Sequence, residues 1–331
     1  MHQSSPEVNE ADVELTFETI DILIIEWSDK LGFYFEEEVK NPGSFEIRSN
    51  IKQCRDKIQY YKNVKIQKQL SISNILQTAL LELNYNEQEN IFKDFWNKHK
   101  IGSFLIQGGK RSCQKWLIYQ LIKKTFPGLY TPYKYSVNDT LTSREKIDFE
   151  NLTGKLAKRI GLNENTSIQE IIERILKLLK NDSVVVVFDN LDNVYEEEQK
   201  KIIERIWNPL LEMINSSENE YDKFYLLFFL VDNKRSASTW GIDFIEYWKN
   251  RHFIEPVTGV VELPIITNFQ EQTLRNWFEI QRENLPKWVC HQSDIDKIWE
   301  DTEGVPKDTM SDICAKYKCN WSDIEILIAA L

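Results

Sequence analysis

The 331-residue chain has no long hydrophobic run and no excess of positive charge. Its longest candidate membrane segment, Ile20 to Trp27, is interrupted by Asp21 and Glu26, and it falls far short of the ~20 apolar residues that a spanning helix needs. The net charge of −11 argues against a nucleic-acid footprint over the whole chain. No charged segment followed by an apolar segment and a cleavage site opens the sequence. These absences predict a cytoplasmic protein without membrane contact.

Cysteine is scarce, with only five residues at irregular positions. They indicate no disulfide framework and suit a reducing compartment. Cys290 and His291 could be combined with Cys314 and Cys319 as zinc ligands, but no C-x-x-C pair supports such a site. The histidines have no serine, cysteine or aspartate partners at a recognisable catalytic spacing, so a hydrolase triad has no support. We therefore expect neither a metal site nor a nucleophilic hydrolase.

Hydrophobic spacing divides the chain into four segments. Residues 1–10 are polar and are expected to be disordered, and residues 11–100 show helical periodicity throughout. Residues 101–268 alternate strands and helices, with strands predicted at 132–137, 184–188, 224–231 and 260–263. Residues 269–331 are helical again. Apolar strands joined by helices predict a doubly wound parallel α/β sheet, preceded by a helical interaction or adaptor region and followed by a helical tail.

Two serine or threonine residues precede a glutamate at the spacing of a capping box. These pairs are Thr142 with Glu145 and Ser167 with Glu170. In a capping box the hydroxyl accepts from the third helical N–H while the glutamate returns to the cap N–H. The two pairs therefore predict helix starts within the α/β segment.

The stretch Ser103–Tyr119 combines an apolar strand, a glycine turn and a helix start, which is the shape of a phosphate-binding loop. In G-x-x-x-x-G-K-[ST], backbone N–H groups hold phosphate, the lysine reaches the β- and γ-phosphates, and the hydroxyl binds Mg²⁺. With Gly108 as the first glycine, Cys113 replaces the second glycine, Gln114 the lysine and Lys115 the hydroxyl residue. All three chemical positions are lost. We predict that Gln114 hydrogen-bonds to the loop backbone, replacing ligand-dependent order with permanent order.

An alternative register would make Gly109-Lys110 the glycine–lysine pair. It places Phe104, inside the strand, at the first glycine and Arg111 at the hydroxyl position. We reject it for that reason.

Acidic residues follow two predicted strands at the same edge of the sheet as Gly108. Asp189 and Asp192 follow one strand and Asp232 ends another. In a working NTPase an acid at the Asp189 position helps to hold Mg²⁺ and a neighbouring acid orients water. Here Asn190 takes the neighbouring position. Asp192 is the only substitute for that acid and would lie past the strand end, so Asp189 and Asp192 are the degenerate metal-binding candidates. A metal-binding role and a helix N-terminal role are equally good interpretations of Asp189, whereas for Asp192 we favour the helix N-terminal role.

These motifs, in this order, resemble the inactive STAND family, degenerate relatives of the STAND P-loop NTPases in bacterial conflict and signalling systems. The resemblance covers about Leu70 to Leu331 and rests on the following segments: FLIQG with Gln114-Lys115-Trp116-Leu117, VVVVFDNLD with Trp207-x-Pro209-Leu210, LLFFLVDN, Leu263-Pro264, Trp277 and DICAKYKCNW. It implies a scaffold that depends weakly or not at all on nucleotide and has no enzymatic activity. It also implies an effector or sensor protein as partner, which we expect to bind through the N-terminal helical region.

Two further interpretations stay open. One is an ATP-binding switch or slow ATPase, with ATP and Mg²⁺ held through Lys115 and Asp189. The other concerns the basic cluster Lys52 to Lys68, which could bind RNA or an acidic partner but is more simply a solvated helix face. We do not expect nucleic acid as a partner.

Overall fold

The computed structural model describes residues 15–83, 85–125, 133–137, 146–217, 221, 223–246, 259–286 and 292–329. The expected disorder of residues 1–10, the capping box at Thr142 and the Cys290–His291 pair lie outside these residues. The structure divides the chain into two compact units, Met1–Leu76 and Gln77–Leu331. Among the described residues, no helix is both long and apolar enough to cross a membrane.

The first unit contains a helical hairpin. Helix α1 spans Phe17–Lys40, and α2 starts at Phe45 and continues to Leu80, across the boundary between the units. The two helices are joined by a turn in which Gly43 has a φ of 94°, a left-handed conformation that glycine adopts at little cost. Ion pairs Lys65–Asp21 at 2.5 Å and Arg48–Glu38 at 3.4 Å show that the two helices run antiparallel.

The second unit contains a parallel sheet flanked by helices. Its helices are α3 (Asn86–Trp96), α4 (Gln114–Thr125), α5 (Phe149–Arg159), α6 (Ile168–Leu179), α7 (Glu196–Ile202), α8 (Asn208–Asn215), α9 (Glu271–Gln281), α10 (Gln292–Thr302), α11 (Pro306–Lys316) and α12 (Trp321–Ala329). Its strands are β1 (Ile101–Gln107), β2 (Tyr133–Val137), β3 (Val184–Phe188), β4 (Leu226–Asp232), β5 (Phe244–Ile245) and β6 (Val260–Glu262). A π-helical turn, Ile203–Trp207, joins α7 to α8.

The sheet has the order β2-β3-β4-β1-β6-β5 with every pair parallel. Helices cover both faces. Alternate residues of β3 and β4, such as Phe188 and Phe228, share a buried cluster with α5, α6 and the π-helical turn, and the Trp207 ring lies 5.0 Å from that of Phe228. On the other face, the ring centroid of Phe92 in α3 lies 4.9 Å from that of Phe104 in β1. The predicted doubly wound parallel fold, with helices before and after the sheet, is confirmed.

Four of the six strands match the predicted segments within about two residues, and β1 is the strand predicted before the glycine turn. The two-residue strand β5 was not predicted, because it is too short to show a pattern. The second compact unit begins at Gln77 rather than at the predicted residue 101. The physical reason is that α3 packs its aromatic side chains on β1. The capping box at Ser167 and Glu170 is present at the start of α6, as predicted.

Candidate functional site

The degenerate loop occupies the position where a doubly wound sheet places its ligand site. Strand β1 pairs with β4 on one side and β6 on the other, so its carboxyl end lies at the point where the chain changes direction across the sheet. The loop runs from Gly108 to Cys113, and α4 begins at Gln114. The predicted strand, turn and helix are therefore in place.

Two nearby side chains bind the backbone of Gly109 in the loop. The Gly109 N–H donates to Ser112 Oγ at 2.8 Å, and Gln114 Nε2 donates to the Gly109 carbonyl at 2.8 Å. The second contact is the hydrogen bond predicted for Gln114. A phosphate-binding loop needs free N–H groups that point inward. Here the Gly109 N–H, one of the loop's donors, is taken by a protein side chain.

The space that faces Gly108 is filled by the same two side chains. A Cβ added to Gly108 would lie 2.7 Å from Ser112 Cβ and 2.9 Å from Gln114 Nε2. Gly108 is therefore needed for close packing of the loop on itself. This packing fills the space on that side of Gly108 with protein side chains.

Cys113 takes the second glycine position and keeps the backbone conformation of a glycine. Its φ is 56°, in the left-handed region that non-glycine residues seldom adopt. Burial raises the pKa of the Cys113 thiol to about 12, and the carboxylate of Glu325 adds to the rise. The thiol is therefore protonated near neutral pH and cannot act as a thiolate nucleophile there.

The lysine next to Gln114 reaches Asp189, the first acid after β3, which lies two strands from β1 in the sheet. Lys115 Nζ lies 2.8 Å from Asp189 Oδ2, and the Asp189 side chain is almost completely buried. The Asn190 backbone N–H and side-chain amide also donate to this carboxylate, at 2.9 and 3.0 Å. The structure thus brings Lys115 and Asp189 together, and Asp189 is already held by an ammonium group and two amides.

Asp192 lies beyond the end of β3, in the short 3₁₀ turn Leu191–Asn193, as the sequence predicted. Its carboxylate pairs with Lys234 Nζ at 2.9 Å and accepts the Asn233 N–H at 3.2 Å. These contacts tie the loop after β3 to the loop after β4. Sequence reasoning did not find Lys234, because an isolated lysine after a strand carries no pattern.

Asp232, at the end of β4, is fully buried and binds its own turn. Its carboxylate accepts the N–H groups of Lys234 at 2.9 Å and Ala237 at 2.7 Å, and the Ser236 hydroxyl at 3.3 Å. Its carbonyl accepts the Gly108 N–H at 3.1 Å. A carboxylate held by three donors supports the structure of this edge and is not free to orient water.

Two C-terminal helices hold the loop from its other side. The Lys307 N–H, at the start of α11, donates to the Arg111 carbonyl at 2.9 Å, and Arg111 forms an ion pair with Asp308. At the beginning of α4 the ring of Trp116 lies 5.4 Å from that of Trp321 in α12. The order of the loop is thus linked to the packing of the helical tail.

A separate surface cavity of about 470 Å³ lies along α7 and α8 beside β5. Lys200, Glu204, Asp243 and Gly259 are among its lining residues, and none of its lining residues belongs to the loop. The cavity borders the π-helical turn, a feature that often marks functional positions. The sequence offered no signal for it.

Comparison with known proteins gave one family match. Residues 80–231 match the family described as inactive STAND. This confirms the resemblance over a narrower range than Leu70 to Leu331. No curated protein matched the chain.

A structural neighbour is the ORC2 protein of Aeropyrum pernix, solved as ADPNP–ADP complexes. The two chains share 14% sequence identity with a TM-score of 0.42, over 71% of this chain and 64% of the other. This chain therefore spans less than two thirds of that structure's length, and so distant a likeness carries no information on ligands.

The matched segment includes β1 with its closed loop, the Lys115–Asp189 pair and most of β4. Residues 80–231 are therefore similar to the inactive STAND family.

Proposed function

We propose that the α/β domain is a non-catalytic scaffold in which side chains of the loop provide the order that a nucleotide provides in active relatives. The observation that carries this proposal is the pair of hydrogen bonds that Ser112 and Gln114 make to Gly109. A loop whose backbone donor and carbonyl are satisfied internally gains little from an added phosphate, because binding would first have to break these contacts.

The residues at the chemical positions support the absence of catalysis. Phosphoryl transfer depends on a positioned lysine, a metal and an oriented water, and removal of one strong electrostatic contributor typically raises the barrier by about 3–4 kcal/mol. Gln114 stands at the lysine position, Lys115 at the hydroxyl position and Asn190 at the position of the second acid. Three such losses in one site are consistent with a domain that carries no ATPase activity.

We further propose that the protein acts in the cytoplasm as an adaptor of a bacterial conflict or defence system, coupling a sensed trigger to a protein effector. The family match supports the scaffold part of this proposal. The N-terminal hairpin supports the adaptor part, since Ile22, Ile25 and Phe33 leave more than half of their side-chain surface exposed on α1. Exposed apolar surface of this kind is characteristic of protein interfaces.

One observation favours a second function, an ATP-binding switch. Lys115 and Asp189 still form an ion pair across the two strand ends, where an active site would place a cation and an acid. In such a switch, nucleotide would displace Gln114 from Gly109 and Lys115 from Asp189.

Calorimetric titration of the full chain with ATP and Mg²⁺, together with thermal melting, separates the two functions. The scaffold predicts no heat of binding and an unchanged melting temperature at millimolar ATP. A switch with a dissociation constant one hundredth of the ATP concentration would instead gain about 2.7 kcal/mol of stability.

Asp189→Asn provides the matched control for this titration. It preserves side-chain size but removes the charge that would hold Mg²⁺. Micromolar binding by the wild type that is lost in Asp189→Asn would contradict the scaffold and establish the switch.

A further inference from the structure

The degenerate loop provides the backbone cap of helix α11. The N-cap residue Val305 makes no side-chain hydrogen bond to the helix, and Pro306 at the first helical position has no N–H. The Lys307 N–H is therefore the first donor of the helix, and it donates to the Arg111 carbonyl at 2.9 Å. The first N–H groups of a helix have no partner within it, so the loop takes the role that a capping side chain normally has.

Two side-chain contacts accompany this hydrogen bond. The ion pair of Arg111 with Asp308 joins side chains that are 63% and 33% exposed, so the pair is open to solvent and to screening by salt. The ring of Trp116, at the start of α4, lies 5.4 Å from that of Trp321, at the start of α12. Helices α11 and α12, which make all three contacts, are called the clasp below.

The aromatic contact of the clasp contains two donors without acceptors. The indole Nε1 atoms of Trp116 and Trp321 are buried, and neither has a hydrogen-bond partner among the residues that the structure describes. The indole N–H of Trp277, in contrast, donates to the Ala79 carbonyl at 2.8 Å. A buried N–H without an acceptor carries a desolvation cost, which is relieved when water reaches it. Separation of α12 from α4 would hydrate both indoles, so this contact opens more easily than a fully paired one.

Helix α11 is also held within the tail by contacts that do not involve the loop. Lys316 Nζ lies 2.6 Å from Asp294 Oδ1 of α10. The hydroxyl groups of Thr302, at the end of α10, and Thr309, in α11, are 3.0 Å apart and buried. These contacts would persist if the clasp left the loop, so the tail can open locally with its helices still folded.

We propose that the clasp is a built-in ligand of the loop and the moving part of the scaffold. It opens and closes without nucleotide, because the contacts that close it all come from this chain. The loop stays closed in both states, since the hydrogen bonds of Gly109 with Ser112 and Gln114 involve neither α11 nor α12. This inference rests on the proposed scaffold function, whose conformational change it specifies.

Amide hydrogen exchange of the full chain without nucleotide tests the clasp at single residues. The Lys307 amide reports on the clasp because its acceptor lies in the loop, whereas the Thr309 amide donates to Val305 and reports on α11 itself. In the wild type the Lys307 amide should be protected but should exchange faster than the Thr309 amide. An increase in salt from about 20 mM to about 0.5 M should raise the Lys307 rate about threefold and leave the Thr309 rate unchanged.

A double-mutant cycle tests the ion pair of the clasp. Arg111→Gln and Asp308→Asn should each raise the exchange rate of the Lys307 amide about threefold, and the double variant should raise it no further, because all three lack the same pair. The single substitutions remove opposite charges, so a direct effect of local charge on exchange would change the rate in opposite directions. Asp312→Asn is the matched control, with the same change one turn further along α11, and it should leave the rate unchanged.

Trp321→Ala tests whether α11 and α12 open together. It removes the aromatic contact with Trp116 and should raise the exchange rate of the Lys307 amide about tenfold or more, although Lys307 lies on the other helix of the clasp. If this variant does not fold, the ion-pair cycle still decides the test. A folded Trp321→Ala variant with the wild-type Lys307 rate would overturn the clasp as a single moving part.

The Gly109 amide separates a failure of the clasp from a failure of the scaffold. It donates to Ser112 inside the loop, so it should stay protected when the clasp opens. A protected Gly109 amide, with Lys307 and Thr309 amides that exchange at one rate in every variant, would overturn the clasp alone. A wild-type Lys307 amide that exchanges as fast as in an unstructured peptide would do the same. Rapid exchange of Gly109 in the wild type would overturn the closed loop and this inference with it.

Discussion

Replacement of Gly108 with alanine is expected to lower the free energy of unfolding by about 3 kcal/mol, because the added methyl group must enter occupied space. The new Cβ would lie 2.7 Å from Ser112 Cβ and 2.9 Å from Gln114 Nε2, so both side chains would have to leave their hydrogen bonds to Gly109. Urea unfolding measured by circular dichroism gives the value.

Gly109→Ala is the control for this prediction. A Cβ at Gly109 has Ser112 Oγ as its nearest contact, at an ordinary 3.6 Å, so the cost should stay below about 1 kcal/mol. Equal effects of the two substitutions would show that the loop is not closed around Gly108.

Replacement of Asp232 with alanine should destabilise the protein by about 3 kcal/mol or more, since two backbone N–H groups would lose a charged acceptor in a buried turn. The affected donors belong to Lys234 and Ala237. Ser236→Ala, which removes only the 3.3 Å contact, should cost about 1 kcal/mol or less.

The same unfolding experiment separates a structural from a catalytic role of Asp232. A stable Asp232→Ala variant with an altered nucleotide response would mean that the carboxylate serves a ligand. A loss of stability without any nucleotide effect is the result that we expect.

The sequence was sufficient for five of the six described strands and for the Gln114 hydrogen bond of the loop. Strand β3 was predicted with its observed bounds, since five consecutive apolar residues have few other arrangements in a parallel sheet. The Gln114 hydrogen bond was predicted because a glutamine at a lysine position keeps the reach but exchanges a charge for an amide.

Other features depend on contacts between distant segments. Ser112 fills the loop, yet a serine in a turn shows no pattern that distinguishes this role. Helix α2 runs unbroken to Leu80, and no glycine or proline interrupts it. Asp232 was placed correctly at the sheet edge, whereas its three donors come from a turn whose geometry follows only from the folded chain.

Amide hydrogen exchange of the loop tests the central claim most directly. The Gly108 N–H donates to the Asp232 carbonyl, and the Ser112 N–H donates to the Gly109 carbonyl. The Gly109 N–H donates to the Ser112 hydroxyl. We predict that these amides are protected in the nucleotide-free protein and that millimolar ATP with Mg²⁺ leaves their exchange rates unchanged. Rapid exchange that becomes slow only when ATP is added would contradict a permanently ordered loop.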